Sequence, residues 1–138
     1  MKIKIIILIL SILSISSCEH NCKENMKFKK QYFDILDIFV SYYKFMNTNE
    51  DIPVSLLWEM NDQIYKNRAY IEYLTQKELR YIEVEHILIY QNKADFEADM
   101  KDLKKWYKEN KCGMTIEKAD SIIKSTYKQL KKDSMQEI

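Results

Sequence analysis

The chain has 138 residues, with 22 basic and 21 acidic side chains and a net charge of +1 at pH 7. This length suits one domain, and a single glycine and a single proline favour helices joined by short polar links. One glycine also excludes a P-loop and a dinucleotide-binding fingerprint, because both need several glycines where the backbone approaches phosphate.

The chain begins with a basic and apolar segment. Lys2 and Lys4 precede an apolar run that starts at Ile5 and ends in the sequence Ile15-Ser16-Ser17-Cys18. A basic head, a short apolar run and small residues are typical of a secretory signal peptide, which is too short to span a bilayer stably. A plain signal peptide or an uncleaved membrane anchor would explain this segment without a special role for Cys18.

The order aliphatic, small, small, cysteine resembles the lipobox of bacterial lipoproteins. The resemblance implies that residues 1–17 are removed as a signal peptide and that the Cys18 thiol is diacylated. Residues 18–26 would then be a short lipidated tether that holds the body close to a membrane of the bacterial envelope, on its periplasmic face or at the cell surface. Nucleic acid is not expected as a partner in that compartment.

The two other cysteines are Cys22 and Cys112. If Cys18 carries lipid, they are the one pair left in an oxidising compartment, and a disulfide between them is expected. Closing so long a loop would stabilise the fold by roughly 4 to 5 kcal/mol on the chain-entropy model. Two free thiols that lie too far apart to bridge are the alternative.

Apolar periodicity over residues 27–138 predicts an all-α domain of about five helices, arranged as a small bundle or as stacked helical hairpins. The expected helices cover about 27–47, 53–74, 75–90, 95–109 and 115–130, and residues 131–138 are expected to fray. Pro53 suits the first turn of the second helix, and Thr75 with Glu78 would form a capping box for the third. Asp95 and Thr115 are the expected caps of the last two.

The third helix has a competitor. Ile82 and Val84 alternate with acids, and the segment from Arg80 to Tyr90 is rich in β-branched and aromatic residues, which also fits a strand. The helix is preferred because no glycine-bearing turn offers the strand a hairpin partner.

The segment from Asp102 to Lys111 contains Trp106 and Asn110 and is similar to the tryptophan-and-asparagine segment that closes some helical-repeat proteins of bacterial envelopes. That resemblance implies stacked helix pairs and binding in place of catalysis. A core tryptophan on a basic helix explains the same residues.

Charge is unevenly distributed along the chain. Residues 50–100 hold eleven acidic and five basic residues, whereas residues 101–132 hold ten lysines and four acids. The lysines predict a solvated helical face. Contact with anionic headgroups is the alternative, through Lys124, Lys128, Lys131 and Lys132.

Residues that commonly carry catalysis or bind metal are scarce. His86 is expected to be a half-buried, hydrogen-bonded histidine, and a nucleophilic pair of Cys112 with His86 would compete with the disulfide. His20 and Cys22 would supply only two metal ligands in a tether. We therefore expect no catalytic residue, metal or cofactor.

These observations together predict a non-enzymatic, membrane-anchored envelope lipoprotein that binds another protein. Inhibitor or immunity-type lipoproteins neutralise a toxin or hydrolase delivered to the same compartment. They match this chain in size and in predicted location. The alternatives are a structural envelope accessory whose lysine-rich helices contact anionic lipid, and an enzyme with an unrecognised site.

Overall fold

The computed structural model describes residues 22–48 and 51–135. Within these ranges the chain forms four helices and one two-stranded antiparallel sheet, so the fold is mostly helical. The elements are α1 (Met26–Met46), α2 (Val54–Thr75), β1 (Tyr81–Val84), β2 (Ile87–Tyr90), α3 (Lys93–Asn110) and α4 (Ile116–Ser134). The predicted signal peptide at 1–17, Cys18 and the first part of the tether, including His20, lie outside the described residues.

Helix α1 is the centre of the core. It begins at a side-chain cap, because the Asn25 amide oxygen accepts the backbone N–H of Phe28 at 2.9 Å. Its buried residues recur at helical spacings of one, three and four, which places them along one stripe. They are Phe28, Tyr32, Ile35, Leu36, Phe39 and Tyr42. This helix agrees with the prediction for residues 27–47.

Helix α2 also lies where the sequence predicts it, directly after Pro53. The predicted capping box after it is wrong. Thr75 is the last residue of α2, and its hydroxyl donates to the Ile71 carbonyl at 2.8 Å. Gln76 then adopts a left-handed conformation with φ of 54°, which ends the helix.

The predicted third helix at 75–90 is wrong. The alternative, one strand from Arg80 to Tyr90, has the right type of structure, but the segment forms two strands joined by a turn. Residues Tyr81–Val84 and Ile87–Tyr90 form a hairpin, with Val84 opposite Ile87 and Tyr81 opposite Tyr90. Glu85 and His86 form the two-residue turn, with φ of 50° and 64°. Positive φ at both positions is typical of a type I′ turn, so the hairpin forms without glycine.

The last two helices agree with the prediction, although one cap does not. Asn92, and not Asp95, caps α3: its side-chain oxygen accepts the Asp95 backbone N–H at 2.9 Å. Thr115 caps α4 as predicted, accepting from the Lys118 backbone N–H at 3.2 Å.

Aromatic rings connect α3 to α1. Trp106 stacks on Tyr32 with ring centroids 5.6 Å apart, and the Tyr32 hydroxyl donates to the Leu103 carbonyl at 2.9 Å. Tyr107 stacks on Phe28 at 6.0 Å. Trp106 therefore packs against the core, as the alternative explanation of the 102–111 segment requires.

Candidate binding surface

The N-terminal segment is fastened to the end of α3. Cys22 and Cys112 form a disulfide with their Cα atoms 5.3 Å apart, and Glu24 pairs with Cys112 in an isolated β-bridge. These contacts hold residues 22–24 against the segment that follows α3.

A carboxylate strengthens this junction. Tyr107 donates to Oε1 of Glu24 at 2.7 Å, and the Lys29 ammonium lies 3.0 Å from Oε2. The Tyr107 hydrogen bond, followed by that of Lys29, lowers the pKa of Glu24 below its ordinary value. The contacts with Tyr107 and Lys29 therefore favour the ionised form of Glu24.

At the other end of the molecule, Asn61 on α2 holds the hairpin. Its side-chain oxygen accepts the Leu88 backbone N–H at 3.0 Å, and its amide nitrogen donates to the His86 carbonyl at 2.8 Å. The Tyr42 hydroxyl of α1 donates to the Leu88 carbonyl at 2.8 Å. The Tyr42 phenol is a donor at neutral pH already at its ordinary pKa, and burial raises that pKa to about 12.

Asp99 on α3 holds the open ends of the two strands. It is 2% exposed, accepts the Arg80 backbone N–H at 2.7 Å and pairs with the Arg80 guanidinium. The Tyr90 hydroxyl donates to the same carboxylate at 3.0 Å. Buried polar groups from two helices thus fix the hairpin at both of its ends.

The outer face of the hairpin is aliphatic. The register places Ile82 opposite Ile89 and Val84 opposite Ile87, and side chains two apart on a strand share a face. Ile82 is 38% exposed and Val84 is 47% exposed, while Tyr81 and Leu88 point into the core from the other face. One face of the hairpin is therefore formed by four β-branched side chains that are exposed or partly buried: Ile82, Val84, Ile87 and Ile89.

Trp58 on α2 adds an exposed aromatic side chain beside the turn. It is 47% exposed and lines a shallow recess of about 460 Å³ between α2 and the turn. The other residues of the recess are Asn61, Asp62, Tyr65, Glu83 and His86. We define the hairpin surface as the exposed residues of the hairpin together with the neighbouring tryptophan of α2: Trp58, Ile82, Glu83, Val84, Glu85 and His86.

The histidine expectation is only partly correct. His86 is hydrogen-bonded, since its Nδ1 lies 3.2 Å from a Glu83 carboxylate oxygen, but it is exposed at the turn and not half-buried. Cys112 is bonded to Cys22 and offers no free thiol for a pair with His86. Over residues 22–48 and 51–135, no group of three or more His, Cys, Asp or Glu side chains is arranged to hold a metal ion.

The lysines predicted to form a solvated face are exposed on α4 at positions 124, 128, 131 and 132. Tyr127 and Leu130 are exposed beside them, so this end of α4 is both basic and apolar. Thr126 fastens the helix to α2 by donating to the Tyr73 carbonyl at 3.1 Å. None of the helices in the described part of the chain has the length and apolarity needed to cross a bilayer.

Sequence reasoning missed the hairpin surface because it assigned residues 75–90 to a helix. The alternation of Ile82 and Val84 with acids indicated a strand. What the sequence did not indicate was that Glu85 and His86 could form a hairpin turn without glycine. Comparisons with protein-family models, with curated proteins and with solved structures find no match to this chain.

Proposed function

We propose that this chain is a lipid-anchored protein of the bacterial envelope that binds another protein through the hairpin surface and catalyses no reaction. The observation that carries the proposal is the exposure of Ile82 and Val84 on a hairpin whose position is fixed by buried Asn61 and Asp99, with Trp58 of α2 exposed near its turn. Ile82 and Val84 share one face of β1, and neighbouring exposed apolar side chains mark interaction sites more often than scattered ones do.

The rigidity of the hairpin supports binding. A side chain that is already held in place loses little conformational entropy on association, so more of its contact energy appears as affinity. Trp58 is the expected centre of the interface, since tryptophan is enriched among residues that dominate binding energy.

The resemblance of residues 15–18 to a lipobox supports the anchor, and the disulfide between Cys22 and Cys112 fits an oxidising compartment. Four residues from Cys18 to Cys22 span at most about 14 Å, so the body would stay near the membrane. A partner delivered to the same envelope compartment, such as a toxin or hydrolase neutralised by an inhibitor, suits this position.

The charge of the hairpin surface favours a basic partner. Glu83 and Glu85 are exposed there, and residues 50–100 carry eleven acids against five bases. Complementary charge would accelerate association and make it sensitive to salt.

Site-specific photo-crosslinking tests the binding function. A photoreactive amino acid at Val84 of the full-length lipoprotein should capture one protein in native envelopes, and high salt applied before illumination should reduce the yield. The matched control places the same amino acid at exposed Lys101 on α3, where that product should be absent. Identical patterns at both positions, or no product at Val84, would argue against the hairpin surface.

The anchor is tested separately by the mass of the membrane-extracted protein. The expected chain starts at an acylated Cys18, and Cys22 and Cys112 resist alkylation until they are reduced. Cys18→Ala should leave the membrane fraction. A chain that retains residues 1–17, or that lacks lipid, would contradict the anchor without affecting the crosslinking result.

A second candidate function rests on α4. Exposed Lys124, Lys128, Lys131 and Lys132 alternate with exposed Tyr127 and Leu130, a pattern typical of helices that lie on anionic membranes. Each lysine near such a surface contributes about 1 kcal/mol. In this case the protein would be a structural accessory of the envelope.

Hydrogen exchange of the lipoprotein in nanodiscs tests this candidate. Anionic lipid, but not neutral lipid, should slow amide exchange at residues 124–132, and replacing the four lysines by glutamine should remove the effect. Glutamine at Lys101, Lys104, Lys105 and Lys108 of α3 is the matched control. Exchange that does not depend on lipid charge would exclude α4 as a lipid contact.

A further inference from the structure

We infer that the outer edge of β1 is where the partner docks, as an added strand whose sequence alternates aliphatic and basic residues. The inference rests on the proposed function and names the segment that the hairpin surface would recognise. It starts from the difference between the two edges of the sheet.

The edge of β2 is already occupied at Leu88. Its backbone N–H donates to Asn61 and its carbonyl accepts from Tyr42, so both groups point away from β1. In an antiparallel pair, the N–H and C=O groups of two directly opposed residues either all point towards the neighbouring strand or all point away from it. The two arrangements alternate from one residue pair to the next. Glu83 is the partner of Leu88, and its N–H and carbonyl therefore point outward from the edge of β1.

Among residues 22–48 and 51–135, no third strand pairs with that outer edge, because the order of the sheet is β1-β2. No hydrogen bond from the described residues reaches the backbone of Glu83 on that side. Edge strands are commonly protected from pairing by lysine, proline, a bulge, short length or charge. Strand β1 (Tyr81–Val84) has no lysine, proline or bulge, and its protection is limited to its length of four residues and the charge of Glu83. The open edge is thus suited to strand addition, in which main-chain hydrogen bonds supply affinity.

Side chains define what the added strand must contain. Ile82 and Val84 lie on one face and Glu83 lies on the other, so an added strand presents its residues to them alternately. Aliphatic residues would extend the Ile82 and Val84 face, and a lysine or arginine would pair with Glu83 across the strands.

In the register centred on Glu83, a second copy of this chain fits the edge less well. Two copies that pair their β1 strands about Glu83 would place two carboxylates directly opposite each other, and like charges at that position are destabilising. The charge of the edge therefore favours a different protein with basic residues.

Two synthetic peptides that differ only in charge test the inference with the full-length protein in detergent micelles. One alternates valine and lysine, and the other alternates valine and glutamate. The valine-lysine peptide should bind at least about fivefold more tightly. Its binding should slow hydrogen exchange of the Glu83 amide.

Three variants at one position sharpen the test. Glu83→Lys should reverse the peptide preference, and Glu83→Gln should reduce it. Glu83→Pro should abolish binding while leaving the melting temperature near that of the wild type, because the N–H it removes points away from β2. Ile82→Pro is the contrasting control. Ile82 should be hydrogen-bonded to Ile89 on β2, so removal of its N–H should unfold the hairpin.

The inference is overturned if both peptides bind equally, if Glu83 exchange is unchanged by a bound peptide, or if Glu83→Pro binds as the wild type does. Protection of Glu83 by self-association without peptide would also overturn it, in favour of a second copy. If these tests fail while crosslinking at Val84 still captures a protein, strand addition is wrong and the proposed function stands. If crosslinking fails too, both are wrong.

Discussion

The side-chain oxygen of Asn61 accepts the backbone N–H of Leu88 at 3.0 Å, which ties the middle of α2 to the edge of β2. Asn61 is almost fully buried, and the same side chain also donates to the His86 carbonyl. A two-stranded hairpin is only marginally stable by itself in water. This amide therefore stabilises a hairpin that would not persist alone, and it leaves β1 as the edge that another chain can reach.

Asn61→Ala should lower the free energy of unfolding by about 2 to 4 kcal/mol, because it leaves the buried Leu88 N–H without a partner and removes the shorter of two hydrogen bonds to the His86 carbonyl. Urea unfolding followed by circular dichroism measures this loss. Asn67 lies on the same helix and only donates to the Gln63 carbonyl, so Asn67→Ala should change stability by less than about 0.5 kcal/mol. Equal losses of stability in the two variants would contradict the assignment of the loss to the hydrogen bonds between Asn61 and the hairpin.

Asp99→Ala should cost about 2 to 4 kcal/mol of folding stability, because the Arg80 guanidinium and the Tyr90 hydroxyl lose a buried carboxylate. The cost is reduced by the partial exposure of Arg80. Asp102 is a matched control: it is 44% exposed and lies 3.6 Å from the same guanidinium, so Asp102→Ala should cost less than about 1 kcal/mol. Thermal unfolding of both variants at low salt distinguishes them.

His86→Gly should stabilise the protein by about 1 kcal/mol, because His86 adopts φ of 64° and glycine adopts positive φ without a steric penalty. The expected result is a rise in the melting temperature by differential scanning calorimetry. His86→Ala removes the same imidazole but keeps a β-carbon, so it should not stabilise. A similar rise for both variants would assign the effect to the imidazole.

Glu24 should make stability depend on pH in the acid range. Its pKa is lowered in the folded protein, so its contribution is present above about pH 4.5, the ordinary value, and is lost as pH falls through the folded-state pKa. Glu24→Gln should therefore melt at a lower temperature than the wild type at pH 7, and the gap should narrow towards pH 3. Glu97→Gln, on the exposed face of α3, is the control and should follow the wild type throughout. A gap that stays constant with pH would contradict the assignment to Glu24.

The four helices could be predicted because each carries its own evidence in the sequence. Apolar residues of α1 recur at helical spacing from Phe28 to Tyr42, and Thr115 stands directly before α4 as a side-chain cap. Pro53, predicted for the first turn of the second helix, stands directly before α2 and makes no side-chain cap. Such signals act over one or two turns, and tertiary contacts are not needed to recognise them.

The hairpin at Tyr81–Tyr90 could not be assigned in this way, because its local signals conflict. The residues suit either a strand or a buried helix, and the turn places Glu85 and His86 at positive φ without glycine or asparagine. The strain of that turn is offset by contacts with Asn61 and Asp99, which are distant in sequence. Sequence reasoning lacked this tertiary information and so chose the helix.

The sequence by itself determined the helical character of the body, the lipobox-like segment and the presence of one cysteine pair suited to a disulfide. These follow from composition, local periodicity and short motifs. Only the tertiary structure decided which residues meet: that Cys22 reaches Cys112, that Asp99 and Asn61 hold the hairpin, and that Ile82, Val84 and Trp58 remain exposed. The physical reason is that a buried hydrogen bond or an exposed face depends on what packs beside it, and that neighbour lies far away along the chain.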